Sequence, residues 1–394
     1  MIEPKLRFKA DDGSKFPDWE EKVFGDFVDT HLEKTSNKDK YPLYSLTIES
    51  GVQPKTDRYE REFLVKKEGD NYKIVPPNAF VYNPMNLRFG ALKVNHEKFS
   101  VSVSGYYDVF SLKDDSVLAF WENYLVTPKM LNYYFSIATG SLIEKLRVHY
   151  SQFVKIKKPL PSIPEQQKIA EFLSTIDTVI EKQKETVSAW EERKKGVMQK
   201  LFSQKVRFKA DDGSEFPEWE EKKLGDIADV IMGQSPDGDS VNLNDGLYLI
   251  QGKADLLGSN IVPERFTNKP TKICEPLDLV MTVRAPVGYV VRIEFKACIG
   301  RGVCAIRAKK IDSNYLLHYM AFKENEWKKI EQGSTFTAVN SDDVKMFKVS
   351  VPCLAEQQKI ADCLSSLNEV IEKQKATLAA WEELKKGLLQ QMFV

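Results

Sequence analysis

The stretch RFKADDGSKFPDWEEKVFGD, residues 7–26, returns as RFKADDGSEFPEWEEKKLGD at residues 207–226. A second pair of segments repeats in the same order: PEQQKIAEFLSTIDTVIEKQKETVSAWEERKKGVMQKLF begins at Pro164, and AEQQKIADCLSSLNEVIEKQKATLAAWEELKKGLLQQMF begins at Ala355. A repeat of this kind sets the architecture of a whole chain. Each half therefore consists of a short head, a long variable middle and one long helical segment.

The helical segments have the apolar spacing of a coiled coil, because steps of three and four residues alternate along both copies. The seam of the first copy is Ile169, Leu173, Ile176, Ile180, Gln183, Val187 and Trp190, and it resumes at Val197 and Leu201 after a break at Lys194. The seam of the second copy is Ile360, Leu364, Leu367, Ile371, Gln374, Leu378 and Trp381, followed by Leu388 and Met392. We predict two long helices that pair along these seams, in either a parallel or an antiparallel arrangement.

The two seams each carry one glutamine at the same position, Gln183 and Gln374. A polar residue in an apolar seam can set the register of a helix pair, or it can lie at the edge of the seam with its amide in water. The sequence leaves both interpretations open. From Ile169 to Leu201 the helix would be about 50 Å long at roughly 1.5 Å per residue, which suits a rigid spacer.

Composition restricts the class of protein. A chain of 394 residues predicts two or three domains, and 42% hydrophobic with 29% charged residues is ordinary for a globular protein. We expect a cytoplasmic protein, since no apolar run approaches the length of a membrane span and the first residues lack the apolar core of a secretory signal. The net charge of zero argues against an overall basic surface but permits local basic faces.

The residues typical of catalytic and metal sites are scattered. The five cysteines include no CxxC pair, which favours buried reduced thiols over disulfides or zinc. Walker, GxGxxG and GxSxG motifs are absent from the sequence. The acidic and ExK spacing of Asp278, Glu294 and Lys296 resembles that of metal-dependent nucleases, but it is common by chance in a chain this charged. We predict that the chain has no catalytic residues and binds no metal.

The two middles differ in sequence, although both mix short β-branched runs with turn signals and helical stretches. Each is predicted to be a compact α+β domain. The predicted boundaries are a head at 1–26, a first domain at 27–160, a helix at 161–206, a second head at 207–226, a second domain at 227–352 and a second helix at 353–394. A constant frame that holds two dissimilar domains is what recognition of two different targets requires.

Side chains suited to DNA are grouped in both middles. Arginine pairs with guanine edges, glutamine and asparagine pair with adenine edges, and lysine and hydroxyl groups contact phosphates. In the first middle the candidates are Lys55, Arg58, Arg61, Asn83, Asn86, Arg88 and Lys93, grouped with Tyr59 and Tyr82. In the second middle they are Gln234, Ser235, Gln251, Lys253, Lys269, Lys272, Arg284, Arg301, Thr335 and Asn340.

The order of these parts resembles the specificity subunit of type I restriction-modification systems over essentially the whole chain. The segments that carry the resemblance, besides the two EQQKI helices, are GQSP at Gly233, IQG at Ile250, RAPVG at Arg284, CIGRG at Cys298 and GSTF at Gly333. The first middle lacks GQSP and CIGRG, and its SGYYDVF has Gly105 where a Ser-Pro-x-Tyr motif has proline. It looks like a different subtype of the same domain.

The resemblance implies a non-catalytic subunit with two target recognition domains, each reading one half of an asymmetric bipartite DNA target. It implies an α+β fold in which two long helices pack as an antiparallel coiled coil with a pseudo-two-fold repeat. The implied partners are double-stranded DNA, two modification subunits that methylate adenine N6 with S-adenosylmethionine, and two restriction subunits that use ATP and Mg. The alternative interpretation is a coiled-coil adaptor whose end domains bind two proteins.

Overall fold

The computed structural model describes residues 4–48, 51–55, 72–113, 116–256, 264–333 and 339–393, and in α7 the side chains of 328 and 330–333 are outside the description. The chain forms two compact units. Unit 1 contains Met1–Lys184 together with Thr377–Val394, and unit 2 contains Glu185–Ala376. Each unit therefore combines one head, one variable domain and segments of both long helices.

Unit 1 contains eleven strands among its described residues. They are β1 (Glu20–Val23), β2 (Val28–Thr30), β3 (Lys34–Thr35), β4 (Tyr44–Thr47), β5 (Gly51–Pro54), β6 (Tyr72–Val75), β7 (Phe80–Tyr82), β8 (Leu92–Val94), β9 (Val101–Val103), β10 (Asp108–Leu112) and β11 (Lys157–Leu160). Its shorter helices are α1 (Leu118–Tyr124), α2 (Pro128–Ile137) and α3 (Tyr150–Phe153), and the first long helix, α4 (Ile163–Phe202), begins here.

Unit 2 also has eleven strands among its described residues. They are β12 (Glu220–Lys223), β13 (Ala228–Met232), β14 (Val241–Asn242), β15 (Leu247–Ile250), β16 (Phe266–Thr267), β17 (Ile273–Cys274), β18 (Leu279–Thr282), β19 (Val290–Arg292), β20 (Ala297–Ile299), β21 (Val303–Ala308) and β22 (Lys348–Val351). Its helices are α5 (Leu224–Ile227), α6 (Ser313–Phe322), α7 (Glu324–Gly333), α8 (Ser341–Met346) and the start of the second long helix, α9 (Leu354–Met392).

The two domains share the strand order of one sheet although their sequences differ, and their other sheets are β3-β6-β9 and β4-β5 in unit 1 but β14-β16-β15-β20-β17 in unit 2. An antiparallel four-stranded sheet has the order β2-β10-β7-β8 in unit 1 and β13-β21-β18-β19 in unit 2. The register also corresponds, since Phe110 faces Thr30 and Phe80 while Ile306 faces Val230 and Leu279. Strand β9, which precedes β10 in the chain, pairs antiparallel with β6 in unit 1. Strand β20, which precedes β21, likewise pairs antiparallel with β17 in unit 2. The prediction of a mixed α and β fold is confirmed.

A two-stranded antiparallel ribbon joins the beginning and the end of each variable domain. Strand β1 pairs antiparallel with β11, and β12 pairs antiparallel with β22. The residue after each head strand continues the contact, as Phe24 N donates to Ile156 O and Leu224 N donates to Phe347 O. The chain thus enters and leaves each variable domain on neighbouring strands.

The repeated heads bind the starts of the long helices. In unit 1, Arg7 donates to both carboxylate oxygens of Glu165, with Nε 3.0 Å and Nη2 2.8 Å away, and Trp19 Nε1 donates to the same carboxylate at 3.2 Å. In unit 2, Arg207 and Trp219 make the same bonds to Glu356 at 3.1, 2.9 and 2.9 Å. Both glutamates are fully buried. The repeated head and the repeated helix start therefore contact each other directly in both units, although 158 residues separate Arg7 from Glu165 and 149 separate Arg207 from Glu356.

The seam residues are most buried at the start of each helix. Ile169, Leu173, Ile360 and Leu364 are at most 2% exposed, because they pack into the cores of the variable domains. Further along the seams, Ile176, Ile180, Val187 and Ile371 are buried, whereas Gln183, Trp190, Leu367, Gln374, Leu378 and Trp381 are half-buried. The helices thus serve both as a pair and as part of each domain core.

The helix segments within each unit run antiparallel. In unit 1, Asp177 of α4 pairs with Lys385 of α9, and Lys184 of α4 pairs with Glu382 of α9. The residue number therefore increases along α4 where it decreases along α9. In unit 2, Glu191 of α4 binds Lys375 of α9. Among the described residues, no helix is long and apolar enough to cross a membrane.

Candidate nucleic-acid interface

Four sequence motifs of unit 2 meet at one edge of the domain. Gly233 N of the GQSP segment donates to Val303 O at 3.0 Å, and Gly300 N of the CIGRG segment donates to Ile250 O at 2.8 Å. Val283 N, directly before the RAPVG segment, donates to Gly302 O at 3.0 Å. The motifs are far apart in sequence, and the ends of β13, β15, β18 and β20 bring them together.

Glycine is required where these segments touch. A Cβ on Gly302 would lie 2.0 Å from Gln251 O, and a Cβ on Gly233 would lie 2.1 Å from Gly300 O. Neither distance is possible between real atoms, so any side chain would push the segments apart. Gly233 and Gly302 therefore allow these segments to pack against each other.

The predicted side chains of unit 2 lie on and around this edge. Gln234, Lys253, Lys269, Lys272, Arg284, Arg301 and Asn340 are exposed, and Ser235 and Gln251 are half-buried. Within the described part of the chain, neither the Arg284 nor the Arg301 guanidinium has an ion pair or a hydrogen bond, while Arg301 N donates to Ser235 Oγ at 3.4 Å. Two arginines are therefore available to a ligand at the edge.

Two predicted residues of unit 2 make other contacts, and a third lies outside the described residues. Asn340 caps α8, because its side-chain oxygen accepts from the backbone of Asp342 at 2.8 Å and of Asp343 at 3.0 Å. Lys253 lies over the ring of Tyr289, with Nζ 5.1 Å from the ring centroid. Thr335 lies outside the described residues.

Unit 1 presents equivalent loops with different side chains. Pro84 O, in the loop between β7 and β8, accepts from Val148 N at 3.0 Å, just as Val283 O accepts from Val339 N at 2.9 Å in unit 2. Both loops turn at a glycine with φ of +88°, Gly90 or Gly288. The SGYYDVF segment likewise connects β9 to β10 where CIGRG connects β20 to β21, so the first domain has the same edge without the same motifs.

The predicted residues of this loop in unit 1 divide by environment. Asn86 is exposed, whereas Asn83 is half-buried and its Oδ1 accepts from Met85 N at 3.0 Å. The Arg88 guanidinium stacks on Phe89 and Phe135 and donates to Ile143 O at 2.7 Å. Arg88 thus fastens the loop to its neighbours.

The remaining candidates of unit 1 that the structure describes are not gathered at this loop. Tyr82, which the sequence grouped with them, is fully buried against Phe110 and Phe153, because it belongs to the inner face of β7. Lys93 lines a cavity with Glu122 and Asp177, and burial lowers the pKa of its ammonium group. Lys55 is half-buried after β5, and Arg58, Tyr59 and Arg61 lie outside the described residues.

Sequence reasoning missed one segment of unit 1, residues 138–149. It is held beside the β7–β8 loop by the Val148 and Arg88 hydrogen bonds, and it carries exposed Lys145 and half-buried Arg147. A signal was present, since Gly-Ser at 140–141 corresponds to Gly-Ser at 333–334 and a valine with a helix cap follows in both. The segment extends the candidate edge of unit 1.

The described residues contain no group of three or more histidine, cysteine or acidic side chains that could hold a metal ion. Asp278 of the nuclease-like spacing binds Arg307 through both oxygens, at 2.8 and 2.7 Å. Glu294 binds Arg292 at 3.2 Å. These carboxylates are thus engaged in structural ion pairs. Cys274 and Cys304 are free and buried, and burial raises the pKa of both thiols to about 12.

Comparison with known proteins identifies relatives of both halves. The family model described as "Type I restriction modification DNA specificity domain" matches residues 17–188 and 217–380. The specificity subunit assigned to the type I restriction enzyme MjaX of Methanocaldococcus jannaschii is 33% identical over 257 residues, covering 63% of this chain and 60% of that protein. The MjaVIII specificity subunit from the same organism is 26% identical over 260 residues, covering 60% of this chain and 61% of that protein.

Two solved structures share the fold. A chain from a study of assembly and conformational transition in the type I R-M system has a TM-score of 0.60 at 22% identity, covering 96% of this chain and 98% of its own. The S subunit of a type I restriction-modification system from M. genitalium has a TM-score of 0.59 at 14% identity, covering 100% and 99%. The chain thus spans about 60% of the length of its curated relatives, and with both halves matched by the family model it belongs to the type I restriction modification DNA specificity domain family.

Proposed function

We propose that this chain is the DNA specificity subunit of a type I restriction-modification complex. Unit 1 and unit 2 each read one half of a bipartite target through the loop edge described above. The two edges share a backbone frame but carry different side chains, so the half-sites differ and the whole target is asymmetric. The observation that carries this proposal is the convergence of four separate motifs around Arg284 and Arg301, whose guanidinium groups make no ion pair or hydrogen bond with the described residues.

The chemistry of this edge suits a DNA groove. Arginine donates two parallel hydrogen bonds to the O6 and N7 acceptors of guanine, and glutamine can pair with adenine. Exposed Lys269 and Lys272, beside the same edge, supply positive charge for phosphates. The chain has no net charge, so the affinity for DNA is concentrated at these edges rather than spread over the surface.

The chain itself performs no chemistry in this proposal. Two modification subunits dock on the long helices and methylate adenine N6 with S-adenosylmethionine, and two restriction subunits add translocation and cleavage with ATP and Mg. The helices set the spacing between the half-sites. Such a complex acts on DNA in the cytoplasm.

The alternative, an adaptor that binds two proteins through its end domains, differs in measurable ways. A specificity subunit shows DNA affinity that depends on both sequence and salt, whereas an adaptor shows neither. The first experiment is co-expression with the neighbouring modification subunit, followed by mapping of N6-methyladenine across the host genome. A split motif with two unlike halves that requires both subunits supports the proposal, and a stable complex without methylation contradicts it.

Replacing Arg284 with alanine tests the assignment of unit 2. Loss of one bidentate contact costs about 1–3 kcal/mol, which corresponds to roughly tenfold to hundredfold weaker DNA binding. The methylated motif should become degenerate in one half while the other half stays intact. Lys310→Ala removes an exposed charge after β21, away from the edge, and should leave the motif unchanged. An Arg284→Ala motif identical to that of the wild type would show that Arg284 does not read a base.

A further inference from the structure

The repeated helices carry the same ion pair in both units. In unit 1, Lys184 of α4 faces Glu382 of α9 at 3.9 Å. In unit 2, the corresponding residues are Lys375 of α9 and Glu191 of α4, and they are 2.9 Å apart. This charge pair is thus present in both copies of the repeat. We therefore expect other ion pairs between the helices to be present in both copies as well.

One pair is present in unit 1 and missing in unit 2. Lys385 Nζ binds Asp177 Oδ1 at 2.6 Å in unit 1. The repeat places Lys194 at the position of Lys385, and Asn368 at the position of Asp177. An asparagine has no charge, and among the residues that the structure describes Lys194 has neither an ion pair nor a hydrogen bond. The cation of the pair has been kept while its anion has been lost.

Lys194 faces a cavity. The cavity has a volume of about 500 Å³, and its polar lining includes Lys194, Gln199, Asn325 and Asn368. Lys194 is half-buried. Burial and the charge of Lys375 lower the pKa of its ammonium group, and the charges of Glu191 and Glu372 oppose part of this shift. A cation in this position is poorly solvated, and water alone compensates it less well than an anion would.

Two other carboxylates of the cavity act on Lys194 through their charge, but neither forms an ion pair with it. Glu191 and Glu372 bind Lys375, at 2.9 and 3.7 Å. Their counterparts in unit 1, Glu382 and Glu181, both pair with Lys184, so the equivalent positions of the two units differ by one negative charge. Glu324 adds one carboxylate to the cavity, and Lys195 adds one further cation.

We propose that this cavity binds one small oxyanion, a carboxylate or a phosphate group, with Lys194 as its charge partner. The side-chain amides of Asn368, Gln199 and Asn325 can donate hydrogen bonds to the bound oxygens. The group comes either from a free anion or from an acidic side chain of a protein partner that covers the cavity. This inference goes beyond DNA recognition, because it concerns the helix frame and stands whether or not the loop edges bind DNA.

The experiment uses the full chain and inorganic phosphate. Phosphate replaces chloride at constant ionic strength and pH while the thermal unfolding midpoint is recorded. The wild-type midpoint should rise and saturate, since a ligand that binds only the folded state stabilises it. Asn368→Asp supplies the carboxylate that Asp177 supplies in unit 1, so it should bind phosphate at least tenfold more weakly and raise the midpoint without phosphate. Lys194→Met, which removes the cation, should also lose the phosphate response.

A second readout comes from His318. This buried histidine lies close enough to Lys194 for the lysine charge to help lower its pKa, after burial, to about 4. Phosphate bound at Lys194 should therefore shift the His318 ring resonances in wild type and not in Lys194→Met. Asn244→Asp makes the same charge change as Asn368→Asp on an exposed loop, and it should respond to phosphate like the wild type.

The outcomes separate clearly. No phosphate response in the wild type, or the same response in wild type, Asn368→Asp and Lys194→Met, overturns the proposal. A response confined to chains with Lys194 and Asn368 supports it. Repeating the titration on the complex with the modification subunit then identifies the source, because a retained response indicates a free anion and a lost response indicates an acidic side chain of the partner.

Discussion

Two buried glutamates explain why the chain repeats its head sequence. Glu165 and Glu356 lie in the first turns of the long helices, where the helix dipole favours a negative charge. Each is fully buried, and its carboxylate accepts hydrogen bonds from an arginine and a tryptophan of the preceding head. The arginine of each head also donates to backbone carbonyls of its own head, at Pro17 or Pro217. The repeated residues are thus the two sides of one contact.

Replacing Glu356 with glutamine should destabilise unit 2. The substitution keeps the shape of the side chain but removes the charge from hydrogen bonds that are strong because they are charge-assisted, at a cost of about 2 kcal/mol. The measurement is the free energy of unfolding by denaturant. Glu218→Gln is the control, because Glu218 is an exposed partner of the same Arg207 at 3.5 Å and should contribute less than about 0.5 kcal/mol. Equal effects of the two substitutions would contradict the role of Glu356.

The sequence showed which side chains have the chemistry to bind DNA, but it did not show which of them are already held by other contacts in the fold. Arg284 and Arg301, which were predicted to bind DNA, are exposed. Arg88 has the same chemistry, but it stacks between two phenylalanines that lie 46 residues apart in the chain, and Tyr82 is buried. Local sequence shows which side chains can bind a ligand, while contacts made by distant segments decide which of them are free to do so.

At the scale of elements, close contact between loops makes the edge of unit 2. Gly302 and Gly233 allow backbone to pass against backbone, and strands β15 and β20 pair in parallel just before the loops diverge. The motifs made this edge recognisable in unit 2. In unit 1 the sequence did not predict the same strand order. Pairing between distant strands leaves no local motif, so the short β-branched runs indicated strands but not their order.

Gly302→Ala should disrupt recognition of one half-site. The new methyl group would lie 2.0 Å from Gln251 O, so the loop must move, at a cost of about 1–3 kcal/mol, and Arg301 would move with it. The methylation motif should lose specificity in the half read by unit 2. Gly252→Ala, in the neighbouring loop, is the control, because a Cβ there meets nothing within 4 Å. Retention of the full motif by Gly302→Ala would argue against the packing role of this glycine.

At the scale of the whole molecule, the two units differ in how many segments of the chain they contain. Unit 2 is one continuous stretch, whereas unit 1 joins residues near the beginning to residues after 376. Phe393 is 1% exposed in the core of unit 1, where its ring packs on Phe120 and Tyr124, and its carbonyl oxygen accepts from Lys129 at 3.0 Å. The first domain therefore depends on residues far from it in sequence.

Phe393→Ala should weaken unit 1 and spare unit 2. Truncation of a buried phenylalanine costs about 3–5 kcal/mol, because it leaves a cavity. Hydrogen exchange, measured peptide by peptide, should show faster exchange in α1 and α2 and no change in α6. Leu384→Ala removes a leucine that is 49% exposed and should affect neither unit. Faster exchange of α6 in Phe393→Ala would contradict this division of the chain.

The discontinuous unit also reverses the order in which the domains can be finished during translation. The ribosome makes unit 1 residues first, yet the core around Phe120 waits until Phe393 has emerged. At about 5–20 residues per second, the intervening stretch takes roughly 10 to 40 s. Unit 2 needs no residue after Ala376, so its last residue is made about 1–3 s before Phe393 at the same rate. A nascent chain would thus carry an incomplete first domain throughout synthesis of the second, so protection of the first domain by chaperones would matter during that whole period.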